Sequence, residues 1–335
     1  MTALPLLITM GDPVGIGPET VARAFQRGAA EGCVVVGDVG VMRRAMALLA
    51  DPWPIARLDS ASDMSQCPPR CLPVWQPDGS PPALDQLVWG AVDARAGKAA
   101  AVCIEAAVRA VQRGDGSAIV TAPIHKAALA AAGVPFPGHT EMLQALAGGM
   151  PVRMMLANDE LRVVLVTIHQ SLKSAIDAVT FDAVLGTLRI ANASVKGQRI
   201  AVAGLNPHAG EDGLFGDEER RIIAPAIAAA RAEGVDARGP FAPDTVFMRA
   251  RRGEFDLVVA MTHDHGLIPV KYLGVEQGVN VTLGLPFVRT SPDHGTAFDI
   301  AGRGTADPSS LEAAIRWAHR ALAQSAAVSR PTALT

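Results

Sequence analysis

The stretch FDLVVAMTHDHG, residues 255–266, changes abruptly from an apolar run to the adjacent polar side chains of His263, Asp264 and His265. A continuous apolar run of this length is typical of a strand that is buried on both faces of a sheet. The polar cluster behind it allows three interpretations: a metal site, a catalytic acid or base, or a polar turn that closes the strand. The choice depends on the residues that lie just after the other strands of the chain.

Short apolar runs of the same kind recur along the sequence, and helical patterns separate them. The runs are LPLLITM (4–10), GCVVVGD (32–38), SAIVTAP (117–123), LRVVLVTIH (161–169), QRIAVAGLN (198–206) and FDLVVAMTH (255–263). Two helical patterns, residues 99–114 and 220–234, end in glycine, which commonly terminates a helix. This alternation predicts a layered α/β fold. The proline-rich segment 60–82 is interpreted as a surface excursion.

Composition excludes several classes of protein. The 335 residues include 30 basic and 33 acidic side chains that are mixed along the chain, so there is no basic stripe for nucleic acid. No apolar run is long enough to span a bilayer, and the N-terminal segment lacks the features of a signal peptide. The 4 cysteines fit reduced thiols rather than a disulfide framework or a zinc ribbon. We therefore expect a cytoplasmic protein that binds neither nucleic acid nor membranes.

Three histidines occupy equivalent positions, each just after an apolar run: His169, His208 and His263. Three imidazoles could bind one divalent cation and leave a position open for substrate. Alternatively, each could be a lone histidine that hydrogen-bonds a carbonyl at the end of its strand. The spacing does not test whether the three converge.

Other polar residues indicate an anionic ligand. His139 and Thr140 follow a Pro-Gly turn at the start of a helical pattern, where amides and a hydroxyl form an anion site; an ordinary helix cap is the alternative. Lys271, Asn280 and Arg289 interrupt an otherwise apolar stretch and suit a phosphate or carboxylate, although a solvated face would explain any one of them.

The glycine-rich loop TMGDPVGIGPE, residues 9–19, matches neither the dinucleotide fingerprint nor the P-loop. It is interpreted as a tight strand-to-helix turn in which Asp12 and Glu19 act as helix caps.

Taken together, these motifs resemble the 4-hydroxythreonine-4-phosphate dehydrogenase (PdxA) family of pyridoxal phosphate biosynthesis over nearly the full length of the chain. The segments that carry the resemblance are ITMGDPVGIGPE, FPGHTEM, TIHQSLKSA, GLNPHAGE, APDTVF, HDHGLIPVK and VNVTLGLPFVRTSPDHGTAFDIAGRG. The resemblance implies an isocitrate/isopropylmalate dehydrogenase-like two-domain α/β/α fold with the active site in the interdomain cleft. It also implies a homodimer with a cofactor-side domain of residues 1–130 plus 275–335 and a metal, substrate and dimerisation domain of residues 131–274.

The resemblance also implies roles for individual residues. By its motifs, the metal ligands are His169, His208 and His263, the catalytic residues Lys271 and Asp244, and the substrate contacts His139, Thr140, Lys271, Asn280 and Arg289. The segment HGTAFDIAG is similar to the loop that holds the adenosine of NAD in isopropylmalate dehydrogenases, which implies cofactor contacts from His294, Gly295 and Asp299. Two positions depart from the family, since His265 stands where glutamine is usual and Thr262 where tyrosine is common.

The implied activity is a metal-dependent, NAD(P)-linked oxidation of 4-phosphooxy-L-threonine to a β-keto acid that then decarboxylates, with zinc, magnesium or cobalt as the metal. The alternative within the family is a catabolic dehydrogenase that acts on 4-phospho-D-threonate, 4-phospho-D-erythronate or the cis-dihydrodiol of an aromatic acid. From other classes, three histidines would also suit a zinc hydrolase or a non-catalytic metal-binding protein, neither of which requires the HGTAFDIAG segment.

Overall fold

The computed structural model describes residues 4–195, 198–274 and 277–328, which form an α/β fold. In chain order the strands are β1 Leu6–Thr9, β2 Cys33–Val36, β3 Ile55–Leu58, β4 Leu72–Trp75, β5 Ala118–Thr121, β6 Arg153–Ala157, β7 Arg162–Leu165, β8 Ile200–Ala203, β9 Ala237–Phe241, β10 Leu257–Ala260, β11 Val279–Leu283 and β12 Arg289–Pro292. The helices are α1 Gly17–Gln26, α2 Val39–Met46, α3 Ala94–Arg113, α4 Lys126–Ala131, α5 His139–Leu146, α6 Leu172–Ala178, α7 Phe181–Ser194, α8 Ala224–Ala232, α9 Pro243–Arg251, α10 His263–Tyr272 and α11 Ser309–Val328.

The chain divides into two compact units. Unit 1 comprises Met1–Met150 with Leu285–Thr335, and unit 2 comprises Pro151–Gly284. Unit 1 is therefore discontinuous in sequence, and both of its boundaries lie later in the chain than the expected ones at residues 130 and 275. The reason for the first shift is that α4 and α5 both pack against α3. The reason for the second is that β11 pairs with β6.

Unit 1 contains a parallel run of strands in the order β3-β4-β2-β1-β5-β12. All residues of β1, β2, β5 and β12 are buried, as expected for strands that helices cover on both faces. Helix α3 packs closely on α4 because Gly97 has no side chain, and a Cβ there would lie 2.0 Å from the carbonyl oxygen of Ala128. Gly114 ends α3 with a φ of 83°, which confirms the predicted glycine terminator.

The interpretation of segment 60–82 as a surface excursion is wrong at its centre. Residues 72–75 form β4, which pairs with β2 on one side and β3 on the other. Leu72 and Val74 are fully buried in this internal strand. The prolines of the segment hid this strand from the sequence pattern, because proline has no N–H to donate within a sheet. The neighbours of Pro73 are nevertheless buried as in an ordinary strand.

Unit 2 contains strands in the order β11-β6-β7-β10-β8-β9. Strand β6 runs antiparallel to both of its neighbours, whereas β7, β10, β8 and β9 are mutually parallel. The buried core of this unit packs Val246 and Phe247 of α9 and Leu267 of α10 against the strands. Because β7, β10 and β8 are parallel neighbours, their carboxyl ends lie side by side at the same end of the strands.

Within the described ranges, none of the helices combines the length and the apolar character that crossing a membrane requires.

Candidate active site

The three predicted metal ligands follow the three neighbouring parallel strands of unit 2. His169 comes four residues after β7, His263 begins α10 three residues after β10, and His208 comes five residues after β8. Because β10 lies between β7 and β8, and adjacent strands are about 4.8 Å apart, the strand ends that precede the three histidines lie within about 10 Å of each other. The topology thus places them at the end of the sheet where ligands bind in α/β folds.

Two of these histidines are side by side. The ring centroids of His169 and His263 are 5.6 Å apart, with the planes tilted by 49°. The segments that carry them are tied together, because the Thr167 side chain and backbone both donate to the carbonyl of Met261, at 2.8 and 3.2 Å. These two hydrogen bonds join the segments that carry the pair.

A carboxylate orients His263. Its Nδ1 lies 2.7 Å from Oδ1 of Asp264, which can only accept when ionised, so Nδ1 carries the proton and donates. The lone pair of the neutral ring is then on Nε2. Metal-binding histidines commonly have this arrangement, in which a carboxylate fixes the tautomer and directs the second nitrogen at the metal.

His208 has the same kind of partner but an unusual backbone. Its Nδ1 lies 2.9 Å from Oε2 of Glu211, within a left-handed turn, Pro207–Gly213. Five consecutive residues of this turn have positive φ, namely His208, Ala209, Gly210, Glu211 and Asp212. Residues other than glycine occupy this region at a cost of about 1 kcal/mol or more each, so the surrounding structure must hold the turn in place.

Glu219 is the residue that holds this turn, and the sequence pattern did not reveal it. The side chain is 4% exposed; its Oε1 accepts from the backbone N–H groups of Leu205 and Asn206, both at 2.7 Å. Its Oε2 accepts from the Asn206 side-chain amide at 3.0 Å. The carboxylate therefore ties the end of β8 to the helical turn Glu219–Ile223 that precedes α8, and it fixes the start of the segment that carries His208.

The structure brings together two of the three predicted ligands but does not gather the full set. Across residues 4–195, 198–274 and 277–328, no group of three or more histidine, cysteine, aspartate or glutamate side chains is arranged to hold a metal ion. The assignment of His169, His208 and His263 as ligands of one metal therefore stays a prediction.

The other predicted residues of unit 2 lie on three different elements. Lys271 lies in the last turn of α10, eight residues from His263, so the two are about 12 Å apart along the helix axis. Asp244 is exposed in the first turn of α9, a helix that contacts the left-handed turn. Asn280 lies on β11 opposite Leu156 of β6 and is half-buried.

In unit 1, the predicted anion-binding residues include a buried guanidinium, that of Arg289, and the nearby imidazole of His139. Arg289, at the start of β12, is 3% exposed and donates to the hydroxyl of Thr121 at 2.6 Å. Burial lowers the pKa of Arg289 to about 10, which still leaves it charged at neutral pH. Burial and the charge of Arg289 together hold the pKa of His139 well below its usual value, so this imidazole is neutral. Its Nε2 is shielded from solvent and has no hydrogen-bond partner among the described residues.

The predicted helix start at His139 and Thr140 is confirmed, since α5 begins at His139 after Gly138. Gly138 caps the helix without a side chain, so the alternative of an ordinary side-chain cap does not apply. A neutral imidazole, a hydroxyl and a buried arginine suit a phosphate or carboxylate, because they supply several donors and one fixed positive charge.

The predicted cofactor loop of unit 1 presents an acceptor and an exposed carboxylate. Nδ1 of His294 lies 2.9 Å from the carbonyl oxygen of Gly295, so it carries the proton. This leaves Nε2 as an acceptor, and it is buried without a partner in the part of the chain that the structure describes. Asp299 is exposed. Gly295 has open space around the position of a Cβ, so it leaves room for a ligand.

The glycine-rich loop packs against this cofactor loop. The backbone N–H of Ile16 donates to the carbonyl of Thr296 at 3.0 Å, and a Cβ at Gly15 would lie 3.0 Å from the Thr296 Cβ. Buried Glu19 accepts from the backbone N–H of Ala306 at 2.8 Å. The interpretation of Asp12 and Glu19 as helix caps is wrong, because α1 has no side-chain cap; the two carboxyl groups support the loops instead.

Comparison with known proteins identifies the family of the chain. Residues 29–318 match the family described as "Pyridoxal phosphate biosynthetic protein PdxA". The chain belongs to the PdxA family. It is 55% identical over 322 residues to a 4-hydroxythreonine-4-phosphate dehydrogenase from Beijerinckia indica, with 94% of each chain covered. It is 44% identical over 321 residues to a D-threonate 4-phosphate dehydrogenase from Pectobacterium atrosepticum, which covers 93% of this chain and 98% of that protein.

A crystal structure of 4-hydroxythreonine-4-phosphate dehydrogenase from Klebsiella pneumoniae is similar in fold. Its TM-score is 0.88 at 42% identity, and the match covers 96% of this chain and 100% of that chain. The family and the α/β fold predicted from the sequence are thereby confirmed.

Proposed function

We propose that this PdxA family member is a dehydrogenase that oxidises 4-phosphooxy-L-threonine, and that it requires a divalent metal and NAD. The observation that carries the proposal is the near full-length similarity to the 4-hydroxythreonine-4-phosphate dehydrogenase from Beijerinckia indica, in which more than half of the aligned residues are identical. The buried arginine and neutral imidazole of unit 1 support a phosphorylated substrate.

The proposed reaction converts the secondary alcohol at C3 of the substrate into a ketone. The C–H hydrogen leaves as hydride and the hydroxyl hydrogen as a proton, which gives 2-amino-3-oxo-4-phosphooxybutanoate. A β-keto acid loses carbon dioxide readily, and the product is 3-amino-2-oxopropyl phosphate. The chain must therefore anchor a phosphate and a carboxylate, accept one proton and supply another.

Arg289, His139, Thr140, Asn280 and Lys271 are proposed to hold the substrate. Arg289 contributes a charge that is already desolvated and fixed by Thr121, so it loses little freedom on binding an anion. The neutral ring of His139 supplies hydrogen bonding without adding a second buried charge next to the guanidinium.

Proton transfer is assigned to Lys271 and Asp244. Lys271 is half-buried in the last turn of α10, and Asp244 is exposed in the first turn of α9. Lysine and aspartate side chains both serve in general acid–base catalysis, so the pair can take the alcohol proton and return a proton after decarboxylation.

Zinc, magnesium or cobalt would be held by His169, His208 and His263. The donor set fits such a cation, because the carboxylates on Nδ1 of His208 and His263 leave Nε2 of each ring as a ligand. When bound, the metal polarises the substrate oxygen and lowers the cost of its negative charge.

NAD would be held by His294, Gly295 and Asp299. The unpartnered acceptor Nε2 of His294 suits the exocyclic amine of adenine, and the exposed carboxylate of Asp299 suits ribose hydroxyls. When bound, the nicotinamide accepts the hydride. We expect NAD to be preferred over NADP, since a 2′-phosphate would meet the like charge of Asp299.

A homodimer is also proposed, and apolar exposure on unit 2 supports it. Tyr272 is 90% exposed and Leu214 73%, and Ile268 and Leu172 are also largely exposed. Large apolar side chains exposed in numbers on one unit commonly mark an interface. Light scattering coupled to gel filtration measures the mass directly, and a monomer at micromolar concentration would contradict this part of the proposal.

The second candidate substrate is 4-phospho-D-threonate, which the similarity to the Pectobacterium enzyme favours. Steady-state assays of NADH formation with 4-phosphooxy-L-threonine, 4-phospho-D-threonate and 4-phospho-D-erythronate decide between the candidates. The first substrate is expected to have the highest kcat/KM. A higher kcat/KM with either sugar-acid phosphate would show that this compound, and not 4-phosphooxy-L-threonine, is the substrate. If none of the three compounds gives NADH, the zinc hydrolase and the non-catalytic metal-binding protein become the interpretations to test.

A further inference from the structure

In unit 1, three loop segments meet around residues 12, 125 and 298. The backbone N–H of Asp12 donates to the carbonyl of Pro123 at 2.8 Å, which joins the glycine-rich loop to the segment before α4. Gly11 permits this contact, because its φ is 75° and a Cβ there would lie 2.4 Å from the Pro123 carbonyl oxygen. Since Ile16 of the same glycine-rich loop is bonded to Thr296, both segments are fixed relative to the cofactor loop.

His125 lies at the centre of this junction, with its ring flat against Phe298. The two ring centroids are 4.5 Å apart and the planes differ by only 19°. Phe298 directly precedes Asp299, the residue proposed to bind the adenosine ribose. His125 is half-buried, so part of its ring remains accessible to a ligand.

The hydrogen bonding of His125 decides which nitrogen can act. The backbone N–H of Ala127 donates to Nδ1 at 3.2 Å, so Nδ1 is an acceptor and carries no proton. The proton of the neutral ring is therefore on Nε2. The ring is held on one face by Phe298 and at one edge by Ala127, and Nε2–H is a donor that these contacts do not use.

We propose that His125 is a further cofactor-binding residue, whose Nε2–H donates to a diphosphate oxygen of bound NAD. This inference rests on the proposed use of NAD and on the placement of adenosine at residues 294–299. In the dinucleotide, the diphosphate is joined to the 5′ carbon of the ribose that Asp299 would hold. The His125 ring stacks on Phe298, the residue next to Asp299. The Nε2–H donor therefore belongs to a ring that packs against the part of the cofactor loop proposed to hold this ribose.

The opposing interpretation is that His125 only caps α4 and fills space beside Phe298. Two substitutions separate the interpretations. His125→Asn keeps a side-chain acceptor for the Ala127 N–H but removes the ring and its donor. His125→Phe keeps an aromatic ring against Phe298 but removes both nitrogens. His319→Asn, at an exposed position on α11, makes the same chemical change away from the loop and serves as the matched control.

The measurement is equilibrium binding to the full-length protein without substrate, so it does not depend on turnover. NADH is titrated by its fluorescence, and ADP-ribose and adenosine are titrated by ligand-detected NMR. A hydrogen bond to a charged oxygen contributes about 1.5–3 kcal/mol, which corresponds to about a ten- to hundredfold change in affinity. Both His125 variants are expected to lose about that factor for NADH and ADP-ribose, while adenosine binding changes less than about twofold.

Each other outcome has a definite meaning. If His125→Phe binds NADH as tightly as the wild type, the ring and not its donor matters, and the inference is overturned. An equal loss for adenosine would show general damage to the loop and would also overturn it. If the wild type binds neither NADH nor ADP-ribose, the proposed use of NAD fails first; if it binds both and neither variant differs, only the role of His125 fails.

Discussion

Replacing Glu219 tests whether a buried carboxylate holds the turn that carries His208. In Glu219→Ala, the backbone N–H groups of Leu205 and Asn206 lose their acceptor, while the Asn206 side-chain amide still donates to Glu218. The loss of each backbone acceptor costs about 1–3 kcal/mol, so we expect the two losses together to lower the free energy of unfolding of unit 2 by about 2–6 kcal/mol. In Glu219→Gln one oxygen can still serve both backbone groups, and we expect a loss of about 1–2 kcal/mol.

Hydrogen exchange followed by mass spectrometry is the assay, supported by urea unfolding. A loss of about 3 kcal/mol speeds exchange from a peptide that spans residues 200–206 by about a hundredfold, since about 1.4 kcal/mol corresponds to a factor of ten. Glu218→Gln is the matched control, because Glu218 accepts from the same Asn206 amide at 2.7 Å but is not buried. Unchanged exchange in Glu219→Ala would refute the reasoning, as would an equal effect of the control.

Four further substitutions test the site. Asp264→Asn is expected to weaken metal affinity about ten- to hundredfold, because the carboxylate that orients His263 is lost; metal analysis after equilibrium dialysis measures it, and full affinity would remove Asp264 from the site. Arg289→Lys is expected to lower kcat/KM about thirtyfold or more, equivalent to about 2 kcal/mol or more, mainly through KM, and wild-type kinetics would contradict its role. Burial disfavours the charge of Asp12 and raises its pKa from the ordinary 3.8 to about 6 in the folded protein. Its contribution to the free energy of unfolding is therefore complete below about pH 4, and about 3 kcal/mol of it is lost as the pH rises through about 6. Urea unfolding of Asp12→Asn at a series of pH values should lack this decrease in the free energy of unfolding. Asp299→Asn is expected to reduce the preference for NAD over NADP in kcat/KM, and an unchanged ratio would exclude Asp299 from the cofactor site.

The strands that sequence analysis predicted are those with uninterrupted apolar runs. All six runs became strands, β1, β2, β5, β7, β8 and β10, because burial on both faces leaves no room for polar residues. Strands that were not predicted have weaker patterns. β4 contains Pro73, and β9 has the sequence ARGPF at an outer position of the strand order, where exposure is tolerated. These segments form strands because of the strands with which they pair, and not because of a pattern in their own residues.

The site was predictable to a similar degree. Each of the three histidines follows a predicted strand, and the structure shows that these strands, β7, β10 and β8, are neighbours. That the three histidines bind one metal stays a prediction. The supporting residues were not predictable. Glu219 acts on residues 13 and 14 positions earlier in the chain. Glu19 acts on Ala306, 287 positions later. Such contacts are made by tertiary packing and leave no local periodicity.

The discontinuity of unit 1 has a consequence for the order in which a nascent chain can fold. Strand β5 ends at Thr121, but its parallel partner β12 begins only at Arg289, after the whole of unit 2 has been synthesised. The 134 residues from Pro151 to Gly284 (284 − 150) take about 7–27 s to translate at roughly 5–20 residues per second. Throughout this interval one edge of β5 lacks its partner, whereas unit 2 is contiguous and can fold as it emerges. We therefore expect the strand ends that precede the three histidines to form on the ribosome before the cofactor loop, which follows unit 2 in the chain.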